Sequence, residues 1–293
     1  MVKGNQMTSG NESVVGVACL QMRPEVGEKA RNVAHSVELI GQAHAQGARL
    51  MVLPELCNSG YVFESREEAF ALAEMFANGE TIHTWSALAA RLRITLVAGY
   101  AERDGDLLYN SAAVIGPHGV LGNYRKLHLW GEEQLFFEPG NVGMPIFNTP
   151  FGRLACAICY DIWFPEVFRM AALRGADILC VPTNWVPMPA QRSALPVMAN
   201  LLAMAGAHTN GMFVAAADRV GTERGQPFLG CSLIVDSRGW PVAGPASATD
   251  EEILVATVNL TDARRNRHLN TFNQVLRDRR PGVYRTVLDA GDQ

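Results

Sequence analysis

The sequence predicts an α/β fold built on mixed rather than purely parallel sheet, and three observations carry that reading. Short apolar runs alternate with stretches of helical spacing. The connections between them are short, with no linker, repeat or low-complexity break. Several strands also flank Gly/Pro turns as hairpins do, which puts antiparallel pairs among the parallel ones.

Taken in order, Val14 to Gln21 reads as a buried first strand. Asn32 to Ala45 has helical periodicity, ended by Gly47, and Arg49 to Leu53 is an apolar strand stopped by Pro54. Glu67 to Phe76 and Ile82 to Leu92 are predicted helices, and Ile94 to Tyr100 a strand. Two hairpins follow: Ser111 to Ile115 with Val120 to Lys126, and Pro145 to Asn148 with Arg153 to Cys159. Pro165 to Leu173 is a helix that leads through Gly175 to the strand Asp177 to Val181. A long helix is predicted from about Ala190 to Ala207, then strands at Met212 to Ala217, Cys231 to Val235 and Ile253 to Val258. The stretch from Thr261 to Tyr284 is helical at first, then rich in Arg and Pro, a candidate for packing against a partner subunit.

The chain has 293 residues, 48% hydrophobic and 18% charged, which excludes wholesale disorder. Residues 14–285 are expected to form a single domain with a C-terminal tail, and residues 1–13 a disordered leader or tag. A net charge of −4 without a dense basic stripe argues against nucleic acid or an anionic membrane as partner. The longest apolar stretch, Ala194 to Ala207, is interrupted by Asn200 and is too short to span a bilayer. A cytoplasmic protein is expected.

Five of the six cysteines, all but Cys57, lie in four apolar strand-like runs, where a free thiol behaves as a small hydrophobe. Cys156-Ala-Ile-Cys159 has neither a second such pair nor a closely spaced histidine pair, so no metal site is expected. The chain has no G-x-G-x-x-G, P-loop or G-x-S-x-G motif, so a dinucleotide, phosphate or serine-elbow reading has no support. Of the 25 basic residues only Lys3, Lys29 and Lys126 are lysines. In so arginine-rich a chain, Lys126 stands out as a position wanting a compact ammonium rather than a planar fork.

Chemistry is suggested where polar groups sit at the ends of buried strands. Glu55 follows the strand ending at Leu53, Lys126 ends the run Tyr124-Arg-Lys126, with Glu133 beyond it, and Cys159 separates an apolar strand from Phe164-Pro165-Glu166. Singly, Glu55 reads as a cap, Glu133 as a solvated loop charge and Cys159 as core filler. Together they make a set of thiol, ammonium and two carboxylates that works without histidine. A thiol needs a base or nearby cation to attack at neutral pH. Glu55 can take the proton, while Lys126 and the N–H of Tyr160 hold the oxyanion. The same glutamate then serves the leaving amine and the incoming water.

These residues carry a resemblance. LPEL at 53–56, YRKLHL at 124–129 and CYDIWFPE at 159–166 resemble the three signature blocks of the nitrilase superfamily of carbon–nitrogen hydrolases. Pro182-Thr-Asn-Trp185 and the stretch from Ala216 to Ser232 are similar to it too, so the likeness runs from Val14 to Tyr284. It implies a four-layer α-β-β-α sandwich, two mixed sheets flanked by helices, that pairs into a dimer. It also implies Glu55 as general base, Lys126 as oxyanion stabiliser, Cys159 as nucleophile and Glu133 as the second glutamate, orienting the amide and pairing with the lysine. Asp218 stands where many members have asparagine.

Tyr160-Asp161 after the cysteine resembles the amide-cleaving branch rather than true nitrilases, and Ile162 and Trp163 replace the arginines of N-carbamoyl amino-acid hydrolases. Tyr61, Trp130 and Trp185 lie beside the motifs and, with Tyr160, are candidates to wall a small pocket; filling core is their other reading. The expectation is a cofactor-free aliphatic amidase acting on small neutral amides. An ω-amidase or carbamoylase stays open, with Arg192 or Arg224 gripping a carboxylate, as do an acyltransferase and a non-catalytic scaffold.

Overall fold

The computed structural model describes every residue except 1–12, 77, 190, 192–194 and 289–293, and no side chain is described for residues 286–288. Most of the expected leader therefore lies outside the described residues, as does Arg192. The elements are β1 (Val14–Gln21), α1 (Lys29–Ala45), β2 (Ala48–Val52), α2 (Arg66–Leu72), α3 (Glu80–Leu92), β3 (Thr95–Asp104), β4 (Leu107–Gly116) and β5 (Gly119–Arg125) in the first half. The second half contains β6 (Phe147–Thr149), β7 (Gly152–Cys156), α4 (Pro165–Leu173), β8 (Ile178–Pro182), α5 (Met198–Asn210) and β9 (Phe213–Ala217). It continues through β10 (Thr222–Glu223), β11 (Gln226–Pro227), β12 (Leu233–Val235), β13 (Pro241–Ala243), β14 (Glu252–Asn259), α6 (Asp262–Asn266) and α7 (Pro281–Leu288).

One sheet has the order β14-β1-β2-β3-β4-β5, the other β13-β12-β9-β8-β7-β6. Each has three parallel strands at its centre, β1-β2-β3 and β7-β8-β9, with antiparallel strands outside them. The mixed sheets expected from the hairpins are therefore present twice.

Period-two alternation assigns the faces. Val17 and Cys19 of β1 point into a core shared with Leu154, Cys180, Val214 and Leu233 of the other sheet. The intervening Ala18 and Leu20 pack with Ile40 of α1 and Trp85 of α3. On the far side, Phe168 of α4 and Ala203 of α5 cover the second sheet. Helix, sheet, sheet and helix make four layers, the fold class implied by the resemblance.

Several boundaries differ from the sequence reading, β3 running on to Asp104 and β4 starting at Leu107 among them, and three of the differences have a clear local cause. The helix expected to reach Phe76 stops at Leu72, because Glu74 pairs with Glu102 as an isolated bridge. The Glu74 carboxylate also accepts from the Thr81 N–H at 2.9 Å at the start of α3. The strand expected to reach Cys159 stops at Cys156, since Cys159 has φ +44°, a left-handed conformation that no strand accommodates. The long helix begins at Met198 rather than near Ala190: Pro196 bars its neighbour from the helix, and Val197 is extended.

Candidate active site

β5 runs antiparallel to β4, β4 antiparallel to β3, and β3 parallel to β2, so β2 and β5 end at the same edge of their sheet. Glu55 follows β2 and Lys126 follows β5, so the topology alone brings them together. The Lys126 Nζ donates to Glu55 Oε1 and to Glu133 Oε1, each at 2.6 Å, and all three side chains are buried. Arg125, one residue earlier, faces the other way and pairs with Glu102 and Asp104. Adjacent cations thus serve opposite faces, the compact one in the tighter place.

Glu133 sits in a 3₁₀ turn, Gly131–Leu135, and its second oxygen accepts from the Trp130 N–H at 3.3 Å. Tyr61 donates its hydroxyl to Glu133 Oε1 at 2.6 Å, the oxygen that Lys126 also uses. Asn110 of β4 donates to Glu55 Oε1 at 2.7 Å, leaving Glu55 Oε2 buried and unpartnered.

Cys159 opens a second 3₁₀ turn, Cys159–Trp163, immediately beyond the second sheet. Asp161 holds this turn, accepting from the Ile158 N–H at 2.9 Å, the His128 N–H at 3.0 Å and the Tyr124 hydroxyl at 2.7 Å. The N–H groups at the head of such a turn lack intrahelical acceptors, which frees that of Tyr160 for a ligand. Thr183, Asn184 and Trp185 follow β8. Asn184 donates to the Glu55 carbonyl at 2.9 Å, and the Trp185 N–H donates to Asp218 at 2.9 Å.

Electrostatics follows from this burial. Loss of water raises the Glu55 carboxyl from its ordinary range to about 7, with Lys126 pulling it down and Glu133 pushing it up. Burial acts to strip the proton from Lys126, but Glu133 and Glu55 outweigh it and keep the ammonium charged. Burial and the Glu55 charge push the Cys159 thiol well above its usual range, against the pull of Lys126. The resting arrangement is a neutral thiol near a carboxylate that titrates at neutral pH.

Tyr160 and Trp185 line a narrow cleft with Cys159, Trp130, Asn184 and Val186. Tyr61 lines a neighbouring cavity of about 250 Å³ that shares Trp130 and Val186 with the cleft. Arg224, a candidate for gripping a carboxylate, is already bidentate on Glu68 at 2.7 Å and bound to the Val62 carbonyl, so it is corrected to a surface clamp. Sequence reading assigns no role to Asn110, nor to Glu223, although Glu223 closes the Asp218-Arg-Val-Gly-Thr-Glu223 element of the stretch that resembles the family. Asn110 left one trace, an amide in the middle of an otherwise apolar strand.

The sandwich holds an ammonium between two buried carboxylates, with the Cys159 thiol close enough to feel the charge of all three. The family profile described as carbon-nitrogen hydrolase matches residues 16–268, and the chain belongs to that family, within the nitrilase superfamily. A Pyrococcus abyssi protein named nitrilase is 43% identical over 92% of this chain and 99% of its own. An Arabidopsis thaliana N-carbamoylputrescine amidase is 33% identical over 96% and 97% respectively. Among solved structures, a carbon-nitrogen hydrolase from Helicobacter pylori G27 superposes with TM-score 0.84 at 30% identity, covering 95% of this chain and 99% of that one. An amidase from Nesterenkonia sp. AN1, solved as a double mutant in complex with acrylamide, gives TM-score 0.76 at 26% identity over 96% and 99%.

Proposed function

We propose that this hydrolase cleaves small neutral carboxamides to carboxylic acid and ammonia through a thioester on Cys159. One observation carries the reading: the fully buried Lys126 is held between Glu55 and Glu133, and Glu55 keeps a free oxygen. Glu55 Oε2 takes the thiol proton, and the sulfur attacks the carbonyl carbon. Lys126 and the Tyr160 N–H stabilise the oxyanion. Protonated Glu55 returns its proton to the nitrogen, the C–N bond breaks and ammonia leaves. Glu55 then deprotonates a water that attacks the thioester and releases the acid. Glu133 fixes Lys126 and orients the amide; Tyr61, Tyr160 and Trp185 shape the space around it. None of these steps uses a cofactor or metal.

Preference for a neutral substrate is supported by the lining residues: among those described, neither the cleft nor the cavity presents an arginine or lysine. The acrylamide complex of the Nesterenkonia amidase points the same way. A second reading, hydrolysis of an N-carbamoyl amine, is favoured by the relative that bears such a name. Ammonia release from propionamide, a longer aliphatic amide, succinamate, N-carbamoyl-β-alanine, N-carbamoylputrescine and propionitrile tests both, each with a Cys159→Ala control. Fast release from neutral amides alone is expected. Faster turnover of a carbamoyl compound transfers the assignment to the second reading, and of the nitrile to a nitrilase.

The chain is further inferred to pair with a second copy and to work in the cytoplasm. Exposed Met170, Leu173, Met198 and Leu201 on α4 and α5 support the pairing. The six free thiols suit a reducing compartment. No helix among the described residues is long and apolar enough to cross a membrane.

A further inference from the structure

The segment after β9 reaches back to the site through Glu223. This buried carboxylate accepts from two consecutive backbone N–H groups with one oxygen, Tyr61 at 2.8 Å and Val62 at 2.7 Å. Its other oxygen receives Arg219 at 2.9 Å. Arg219 is itself buried, anchored on the Pro24 carbonyl at 2.6 Å and lying over the Phe228 ring, 4.2 Å from its centre. Phe228 in turn packs edge-on against the Tyr61 ring at 5.8 Å. The backbone and ring of Tyr61 are therefore gripped by one cluster, and its hydroxyl ends on the Glu133 oxygen that holds Lys126.

We propose that Glu223 is a positioning residue for Lys126. By fixing Tyr61, it supplies the second donor on Glu133 Oε1 and so governs how the ammonium divides itself between Glu133 and Glu55. Without the phenol, Glu133 carries more unshared negative charge and draws Lys126 away from Glu55 and the thiol. The inference rests on the proposed role of Lys126 at the oxyanion. Glu223 touches neither substrate nor thiol and acts only through Tyr61.

A double-mutant cycle on Glu223→Ala and Tyr61→Phe tests it, read both by amide hydrolysis and by the rate at which iodoacetamide alkylates Cys159, followed by peptide mass spectrometry. Each single variant is expected to lower kcat about tenfold with KM within about threefold, and to slow alkylation to a similar degree. The double variant should be no slower than the slower single one, because both remove the same link. Losses that multiply, or wild-type rates in the Glu223 variant, would overturn the proposal. Should Glu223→Ala fail to fold because Arg219 is left buried without its partner, Glu223→Gln takes its place in the same cycle. A wild type that hydrolyses no amide, but whose alkylation rates still fail to multiply, would sink the amidase reading and leave the positioning role standing.

Discussion

The Tyr124 hydroxyl donates to Asp161 at 2.7 Å, tying the strand that delivers Lys126 to the turn that delivers Cys159. Each partner lies two residues from a member of the proposed catalytic set, so this bond, with those from His128 to Asp161 and from Asn184 to the Glu55 carbonyl, ties the two sheets' contributions together. Burial and the Asp161 charge hold the phenol protonated, well above its usual range. Tyr124→Phe should cost about 1–3 kcal/mol in denaturant unfolding and lower kcat more than it changes KM. Unchanged kcat would show that the turn keeps its place through His128 and Ile158 alone.

In the proposed reaction Glu55 is ionised when it accepts the thiol's proton, and burial raises its carboxyl to about 7. The profile of kcat/KM should therefore fall as pH drops through about 7, not through the ordinary glutamate range near 4. Glu55→Gln should be inactive at every pH. An acid limb centred near 4 would mean that Glu55 is less desolvated in solution than its surroundings indicate.

Lys126→Met leaves two buried carboxylates without their cation. It should lose activity and about 3–5 kcal/mol of stability. Lys126→Arg keeps the charge but forces a planar fork into a space that an ammonium fills. Amide turnover within about tenfold of wild type in the arginine variant would refute the oxyanion role.

Gly99 of β3 lies against the Glu55 backbone: a Cβ there would come 2.5 Å from the Glu55 Cα and 2.5 Å from the Pro54 carbonyl oxygen. Both contacts are backbone and cannot rotate away. Gly99→Ala should destabilise the protein by about 1–3 kcal/mol and displace Glu55, seen as a loss of kcat in protein that remains folded. Wild-type kinetics would show that the turn after β2 can retreat freely.

Asp218 is fully buried, accepts backbone N–H groups from Trp185 and Arg219 on one oxygen, and leaves the other unpartnered. Burial first, and then the Glu55 charge, raises its carboxyl well above the ordinary range, while the hydrogen bonds and Arg219 oppose this. A carboxyl whose folded pKa exceeds its unfolded one subtracts stability as pH rises from the unfolded value, near 4, toward the folded one. Asp218→Asn retains the accepting oxygen and does not titrate. Its melting temperature should therefore gain on wild type between pH 5 and pH 8. A pH-independent difference would show that Asp218 ionises as readily in the folded protein as in the unfolded chain.

Much of the fold was legible because its strands are buried on one or both faces and read as apolar runs, β1 and β8 most plainly. Glu55, Lys126 and Cys159 were legible as polar breaks where those runs end, while Glu133, in a loop beyond Lys126, was marked out by the family resemblance. Boundaries failed where a single side chain overrules local preference: Glu74, caught between β3 and α3, or Cys159, whose left-handed backbone has no signature in its neighbours. Glu223 and Asn110 escaped for a different reason. Their partners Tyr61 and Glu55 are distant in sequence; the Asp218-Arg-Val-Gly-Thr-Glu223 element marks the glutamate but not the two remote amides on which it closes.

β14 lies beside β1, with Val14 opposite Asn259, so among the described residues the first strand made is flanked by the last. During synthesis the first sheet must wait, with one edge bare, for more than two hundred further residues. Only then does β14 pair with that edge. A chain cut just before Glu252 would keep all four proposed catalytic residues yet present an open edge to its neighbours, and its fate should be aggregation rather than slow catalysis.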